Sequence, residues 1–206
     1  DLLARHSLAV VAETSLRIAH NLIAHKGADL RDIRQVYSHP AALEQCSRFL
    51  RRHRTLEKVP FYNTAGSVKH IRDHGLKHAA AIASADAARI YRMAILKGGI
   101  EDEPENYTRF LVLARRGVLP MGGQKTSVVF GLENQPGALF KALSVFALRN
   151  IDLAKIESRP NRGKPWEYLF YMDLNSDIRS LECRRALRHI RELAPYLKIL
   201  GSYPVI

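Results

Sequence analysis

"TSVVFGLENQPGALFKALSVFALRN", residues 126–150, decides the fold of the C-terminal part of this 206-residue chain. "TSVVFGLE" (126–133) alternates as a strand does, and "NQPG" reads as a turn. Leu139, Ala142, Leu143 and Phe146 then recur at helical spacing, which predicts a helix from about 137 to 149. Outward from there, "IDLAKIESRP" (151–160) is a second strand and "NRGKP" (161–165) a hairpin loop. "WEYLFYMDL" (166–174) is a third strand, with Trp166, Tyr168, Phe170, Met172 and Leu174 on one side. A helix over about 178–194 follows, and "YLKILGSYP" closes as a fourth strand. The order β-α-β-β-α-β within about 80 residues specifies a ferredoxin-like sandwich.

Upstream, "RRGVLPMGGQK" (115–125) interrupts two periodic regions with Gly, Pro and Gly-Gly. It divides the chain into residues 1–116, a linker over 117–124 and the sandwich over 125–206. The first part alternates strands and helices, so the whole chain is of the α/β class. "SLAVVAETSLRIAHNLIA" is strand-rich, and "RQVYSHP" is a strand running into a helix that starts at Pro40. "KVPFYNTAGSVKHIRDHG" is a strand, a small polar turn and a helix ended by Gly75; "AAAIASADAARIYRM" repeats this with Ser84 as the cap. Three helices thus begin beside small polar residues at strand ends. In open α/β sheets that edge binds ligands, because the helix N–H groups accept anions.

Composition bounds the partners. A net charge of +12 invites a nucleic-acid reading, but the basic residues are scattered over "RFLRRHR" (48–54) and "CRRALRHIR" (183–191), which read as solvated helix faces. No nucleic-acid signature accompanies them, and attraction of small anionic metabolites explains the charge as well. Apolar runs are short and broken by charge, so the sequence predicts no membrane span. Cys46 and Cys183 have no ligand-like spacing; Cys183 shares a stripe with Leu187, Ile190 and Ala194 and reads as core, which fits a reducing, cytoplasmic setting. His70, His74 and His78 fall at i, i+4 and i+8, but Gly75 breaks that helix, so no metal site is expected.

"ENYTRF" (105–110) poses a sharper question: why does a Thr-Arg pair stand at the mouth of what reads as a buried strand, Phe110-Leu111-Val112-Leu113? With "VYSHPAALEQC" (36–46), "NTAGSVKHI" (63–71), "ENYTRFLVL" (105–113), "GALF" (137–140) and "IESRP" (156–160), the chain resembles prephenate dehydratase. That family pairs a periplasmic-binding-protein-like catalytic domain with a C-terminal ACT domain. Five short motifs match in order over nearly the whole chain. Two departures stand out. Ala41 occupies the position where the family has Gln, and the match begins in the middle of the family's catalytic domain, so the chain reads as lacking the first lobe.

The resemblance implies loss of CO2 and of the ring hydroxyl from prephenate, giving phenylpyruvate, with no metal and no cofactor. It implies that Thr108 stands at the leaving hydroxyl, acting by hydrogen bonding or by relay from water, with Arg109 counted in the catalytic pair. Alternation puts Thr108 and Phe110 on one strand face and Arg109 on the other, so Arg109 has a rival role as a positioning residue. Asn63, Thr64, Ala65, Gly66 and Ser67 form a turn that suits a substrate carboxylate; Ser38, with a plain N-cap as the equal alternative, and His39 do the same at another helix. The resemblance implies further that L-phenylalanine binds between ACT domains of two subunits. The segments concerned are Asn134, Pro136, Gly137, Ala138 and Leu139, and Glu157, Ser158, Arg159 and Pro160. Glu157 meets the ammonium group or simply pairs with Arg159. The expected assembly is a homodimer or homotetramer with Phe as feedback effector. Arogenate dehydratase and a non-catalytic amino-acid-binding module remain as rival readings.

Overall fold

A computed structural model describes residues 2–115, 123–160 and 168–206. The expected hairpin loop and Trp166, and most of the expected linker, lie outside the described residues. The chain divides into two compact units, one formed by Asp1–Ser15 with Arg109–Ile206 and the other by Leu16–Thr108.

The elements of the first stretch are α1 (Leu2–Arg5), β1 (Leu8–Arg17), β2 (Asn21–Ala24), β3 (Gln35–Ser38), α2 (Pro40–Gln45) and α3 (Ser47–Arg52). Then come β4 (Glu57–Pro60), α4 (Thr64–Asp73), β5 (Ala79–Ala83), α5 (Ala85–Tyr91), β6 (Ala94–Lys97) and β7 (Tyr107–Arg115). Strands β2 to β6 form one sheet in the order β4-β3-β5-β2-β6. β3 runs parallel to β4 and β5, while β2 is antiparallel to both β5 and β6. This is the order of a periplasmic-binding-protein-like lobe. Its strands are short, and β2 and β5 are buried along their whole length, as a sheet covered by helices on both faces requires. One face packs Leu43, Cys46 and Leu50 over Val36 and Ile82; the other packs Val68, Ile71, Ala87 and Ala88 over Ile23, Ala81 and Ala83.

The acidic stretch before β7 is structural. Asp102 accepts from the Arg48 N–H at 2.9 Å and from Ser47 Oγ at 2.7 Å, so it caps α3 from afar. Burial pushes its carboxyl up, but those donors bring it below the ordinary carboxylate range. Burial pushes the Cys46 thiol up to about 12, with Asp102 and Glu101 adding to the shift, and the Cys183 thiol is raised as well. Both thiols are core groups.

The second stretch is β8 (Lys125–Leu132), α6 (Ala138–Ala147), β9 (Leu153–Pro160), β10 (Tyr168–Leu174), α7 (Leu181–Leu193) and β11 (Tyr196–Tyr203). The sheet order β11-β8-β10-β9, with its neighbours antiparallel, is the expected ferredoxin-like sandwich. The helix stripes read from the sequence meet the sheet: Ala142, Phe146, Cys183, Leu187, Ile190 and Ala194 pack with Phe130, Met172 and Leu174, and Leu139, Leu143 and Phe170 lie against them. Ser180 Oγ caps α7 by accepting from the Cys183 N–H at 3.1 Å.

The opposite face of this sheet is covered by the chain's own beginning. Val10 of β1 packs with Val129, Leu200 and Tyr203, and Leu3 and Ala4 of α1 join them. Lys198 Nζ donates to the carbonyls of Leu3 and His6 at 2.6 and 2.7 Å, tying α1 to β11.

β1 also pairs with β7 as a two-stranded ribbon, and here one expectation fails. Phe110, Leu111, Val112 and Leu113 do form a strand, but it is not buried: the four are 48%, 36%, 43% and 44% exposed. A strand in a two-stranded ribbon has a single neighbour, and among the described residues no helix covers its faces. An apolar run identifies a strand without fixing what lies above it.

Candidate functional site

The C-terminal edge of the parallel strands gathers the polar groups of the Leu16–Thr108 unit. β3 ends at Ser38, β4 at Pro60 and β5 at Ala83, and the antiparallel β2 begins there with Asn21. The Phe61 N–H donates to the Ser38 carbonyl at 2.8 Å, which fixes where the Tyr62-Asn63 turn leaves β4.

At that turn the Asn63 side chain accepts from the Gly66 N–H at 2.5 Å, capping α4. A Cβ on Gly66 would lie 2.6 Å from Asn63 Oδ1 and 2.7 Å from Tyr62 OH, so only glycine lets both side chains fold against the helix start. The Ser67 hydroxyl is buried and donates to the Thr64 carbonyl at 2.5 Å. That leaves the N–H groups of Thr64 and Ala65 at the helix start, positions that have no acceptor inside a helix. They and the Thr64 hydroxyl are the donors this turn offers an anion.

Ser38 and His39 divide their roles differently from expectation. His39, not Ser38, caps α2: its Nδ1 accepts from the Ala41 N–H at 3.2 Å. Ser38 is fully buried and its Oγ donates to the Ile82 carbonyl at 2.6 Å, holding β3 to β5. The plain N-cap alternative for Ser38 is therefore displaced by an inter-strand tie.

Two residues of this edge escaped the sequence reading. Asn21 is buried and its Nδ2 donates to the Ala83 carbonyl at 3.2 Å. The signal was an Asn opening the otherwise apolar "NLIA", since a buried amide needs partners. Tyr62 is 71% exposed, with its ring 4.5 Å from that of Phe61, beside the Asn63 turn.

In β7, Thr108 and Phe110 are exposed while Arg109 between them is half-buried, as strand alternation requires. Arg109 is engaged elsewhere than with its neighbours' face. Its Nη1 lies 2.5 Å from Asp173 and its Nη2 2.6 Å from Glu13, and Nη2 also donates to Tyr203 OH at 3.2 Å. Burial lowers the pKa of this guanidinium, but Asp173 and Glu13 more than offset that and hold the charge firmly. Arg109 is thus held by side chains of β1, β10 and β11 on the strand face away from Thr108.

The segments expected to bind an effector lie at one end of the sandwich sheet. The turn Glu133–Gly137 follows β8, and Gly137 adopts φ 78°, which glycine alone takes without strain. Leu132, Glu133, Gln135, Pro136, Ala138, Lys141 and Leu193 line a concavity of about 140 Å³ there. Asn134 is exposed, and Leu139 is half-buried against the core. Tyr168 pairs with Leu132 on one side and Pro160 on the other, so β9 ends at the same sheet edge, two strand spacings, about 10 Å, away. Glu157 pairs with Lys155 at 2.7 Å and Arg159 at 2.5 Å along its own strand, which lowers its carboxyl below the ordinary range. Ser158, Arg159 and Pro160 are exposed on this edge strand. Within one chain β10 separates the two segments.

A mixed α/β lobe with a polar sheet edge lined by helix starts, together with a ferredoxin-like sandwich, defines a two-part α/β protein. The prephenate dehydratase family model matches residues 1–118 and the ACT domain model residues 126–188. The chain belongs to the prephenate dehydratase family. It is 46% identical over 216 residues to arogenate dehydratase/prephenate dehydratase 2, chloroplastic, of Arabidopsis thaliana, covering 100% of this chain and 56% of that protein. It thus spans about half the length of the curated relatives it matches. Among solved structures it is similar to prephenate dehydratase of Arthrobacter aurescens in complex with L-Phe, with TM-score 0.87, 30% identity and coverage of 99% and 68%. It is likewise similar to GqqA, described as a novel type of quorum quenching acylase, with TM-score 0.89, 33% identity and coverage of 100% and 75%.

Proposed function

We propose that this chain carries one lobe and the effector domain of a dehydratase that converts prephenate to phenylpyruvate in phenylalanine synthesis. The observation that carries the reading is the Asn63-capped start of α4 at the sheet edge, in a chain of this family. Prephenate takes up one proton and releases CO2 and water as its ring becomes aromatic. The residues must therefore hold a dianion and assist a departing hydroxide. The donors of Thr64 and Ala65 suit a carboxylate, with Asn63, Gly66 and Ser67 shaping the turn and Ser38 and His39 bounding it; Phe110 is proposed separately as a substrate-binding residue of β7. Thr108, exposed on β7, is assigned to the leaving hydroxyl; its hydroxyl is too weak an acid to give up its proton outright, so it acts by hydrogen bonding or relay.

Arogenate, differing by an amino for a keto group, is the alternative substrate. L-Phenylalanine is proposed as the effector, bound by the 134–139 and 157–160 segments of two subunits in a homodimer or homotetramer; the L-Phe complex of the Arthrobacter relative supports this. The domain limits 1–116 and 125–206 and the cytoplasmic setting belong to the same proposal. Among the described residues no helix is long and apolar enough to cross a membrane, and the Arabidopsis relative is named chloroplastic.

The test is turnover of prephenate and of arogenate side by side by the full-length protein, with an amide-hydrolysis assay for the acylase reading that GqqA suggests. Phenylpyruvate or phenylalanine formed, and lost with Thr108→Ala, supports the dehydratase. Amide hydrolysis alone, or Phe binding without turnover, overturns it.

A further inference from the structure

Six side chains form an ion cluster on the sheet face opposite α6 and α7. Glu13 of β1 and Asp173 of β10 are 4% and 7% exposed. Glu13 meets Lys125 Nζ with Oε1 at 2.7 Å and Arg109 with Oε2 at 2.6 Å. Asp173 meets Arg109 with Oδ2 at 2.5 Å and Ser127 Oγ with Oδ1. Ser127 Oγ and Tyr203 OH lie 2.6 Å apart, and Arg109 reaches Tyr203 as well. All four carboxylate oxygens are therefore engaged, and β1, β7, β8, β10 and β11 each contribute a residue.

Buried ion clusters are poor devices for stability alone, because desolvation offsets their attraction and apolar side chains of similar volume serve as well. What a planar guanidinium held by two carboxylates does supply is fixed geometry. Here that geometry bears on one residue in particular. Arg109 follows Thr108 directly in β7, so the backbone that the guanidinium fixes also sets where the Thr108 hydroxyl points on the opposite face. The other anchor, Asp173, sits on β10, the strand between β8 and β9, whose ends carry the two proposed effector segments.

We infer that Asp173 and Glu13 are positioning residues for Thr108, acting through Arg109, and that effector binding at the sandwich reaches the reaction through this cluster. The inference rests on the dehydratase reading above. A shift of β8 against β9 must pass through β10, and Asp173 hands it to β7.

The experiment compares the full-length protein with its Asp173→Asn variant, which keeps the shape of the side chain and removes the charge. L-Phenylalanine binding is measured by calorimetry, kcat and KM at several Phe concentrations, and hydrogen exchange over the β7 amides with and without Phe. In the unmodified protein Phe changes exchange over β7. In Asp173→Asn, kcat falls about tenfold or more with KM within twofold, Phe still binds, and its effect on both kcat and β7 exchange is lost. Ser127→Ala, which leaves every charge in place, shows the same pattern more weakly and replaces Asp173→Asn if that variant does not fold. Unchanged kcat and unchanged Phe response in a folded variant overturn the inference, as does Phe binding that leaves β7 exchange untouched in the unmodified protein. Absence of turnover in the unmodified protein sinks the dehydratase reading instead, and the exchange comparison then decides the cluster separately.

Discussion

Gly201 of β11 and Val10 of β1 meet backbone to backbone: a Cβ built on Gly201 would overlap the Val10 carbonyl oxygen. The register of β11 against β8 shifts between Ile199 and Gly201, which brings this glycine towards β1. Val10 itself is fully buried in the cluster with Tyr203 and Leu200, so neither strand can retreat without uncovering apolar surface. Gly201→Ala should destabilise the unit by about 1–3 kcal/mol, as overpacking does. Thermal denaturation measures it, and an unchanged midpoint would show that β1 yields freely.

Thr108→Ala removes an exposed hydroxyl, so folding should be untouched while turnover falls roughly 10²–10³-fold. Thr108→Ser, which keeps the hydroxyl, should restore most of it. Equal losses in both variants would mean that the hydroxyl is not what matters there.

Asn63→Ala should cost about 1 kcal/mol of stability through loss of the α4 cap. Because the same turn is proposed to hold a carboxylate, KM should rise more than kcat falls. A stability loss with KM unmoved would confine Asn63 to capping.

The ion cluster makes a prediction about acid. Burial pushes the Glu13 carboxyl up, but hydrogen bonds from Lys125 and Arg109 bring it below its ordinary value near 4.5. Its folded form therefore favours the ionised state, so its contribution to stability is complete above that ordinary value and fades as pH falls through the lower folded one. Lys125→Met removes one of the two cations and should move the acid unfolding midpoint to higher pH. An unmoved midpoint would leave Glu13 out of the acid transition.

The sandwich was legible because each strand and helix stripe repeats with its own period and the elements follow one another closely; Ala142, Phe146, Leu187 and Ile190 all lie where that period puts them. The caps were partly legible: Ser84 and the Asn63 turn sit where small polar residues meet helices, but His39 took the place that Ser38 was expected to share. Arg109 was legible only as facing away from Thr108. Its partners stand far off in sequence, Asp173 being 64 positions away, and no local pattern announces such a pairing. The exposure of Phe110 to Leu113 was illegible for a related reason, since strand composition says nothing about the number of neighbouring strands.

The Leu16–Thr108 unit is an insertion between two pieces of the other unit, Asp1–Ser15 and Arg109–Ile206. On a ribosome the inserted unit has all its strands in hand well before β11 emerges. β1 does not: Val10 stays uncovered until Leu200 and Tyr203 of β11 follow it off the ribosome and pack on it. This contact spans the whole inserted unit and most of the sandwich, the kind of distant pairing that slows folding most. During synthesis the segment around Val10 is apolar surface left without its cover, on which a chaperone has long to act.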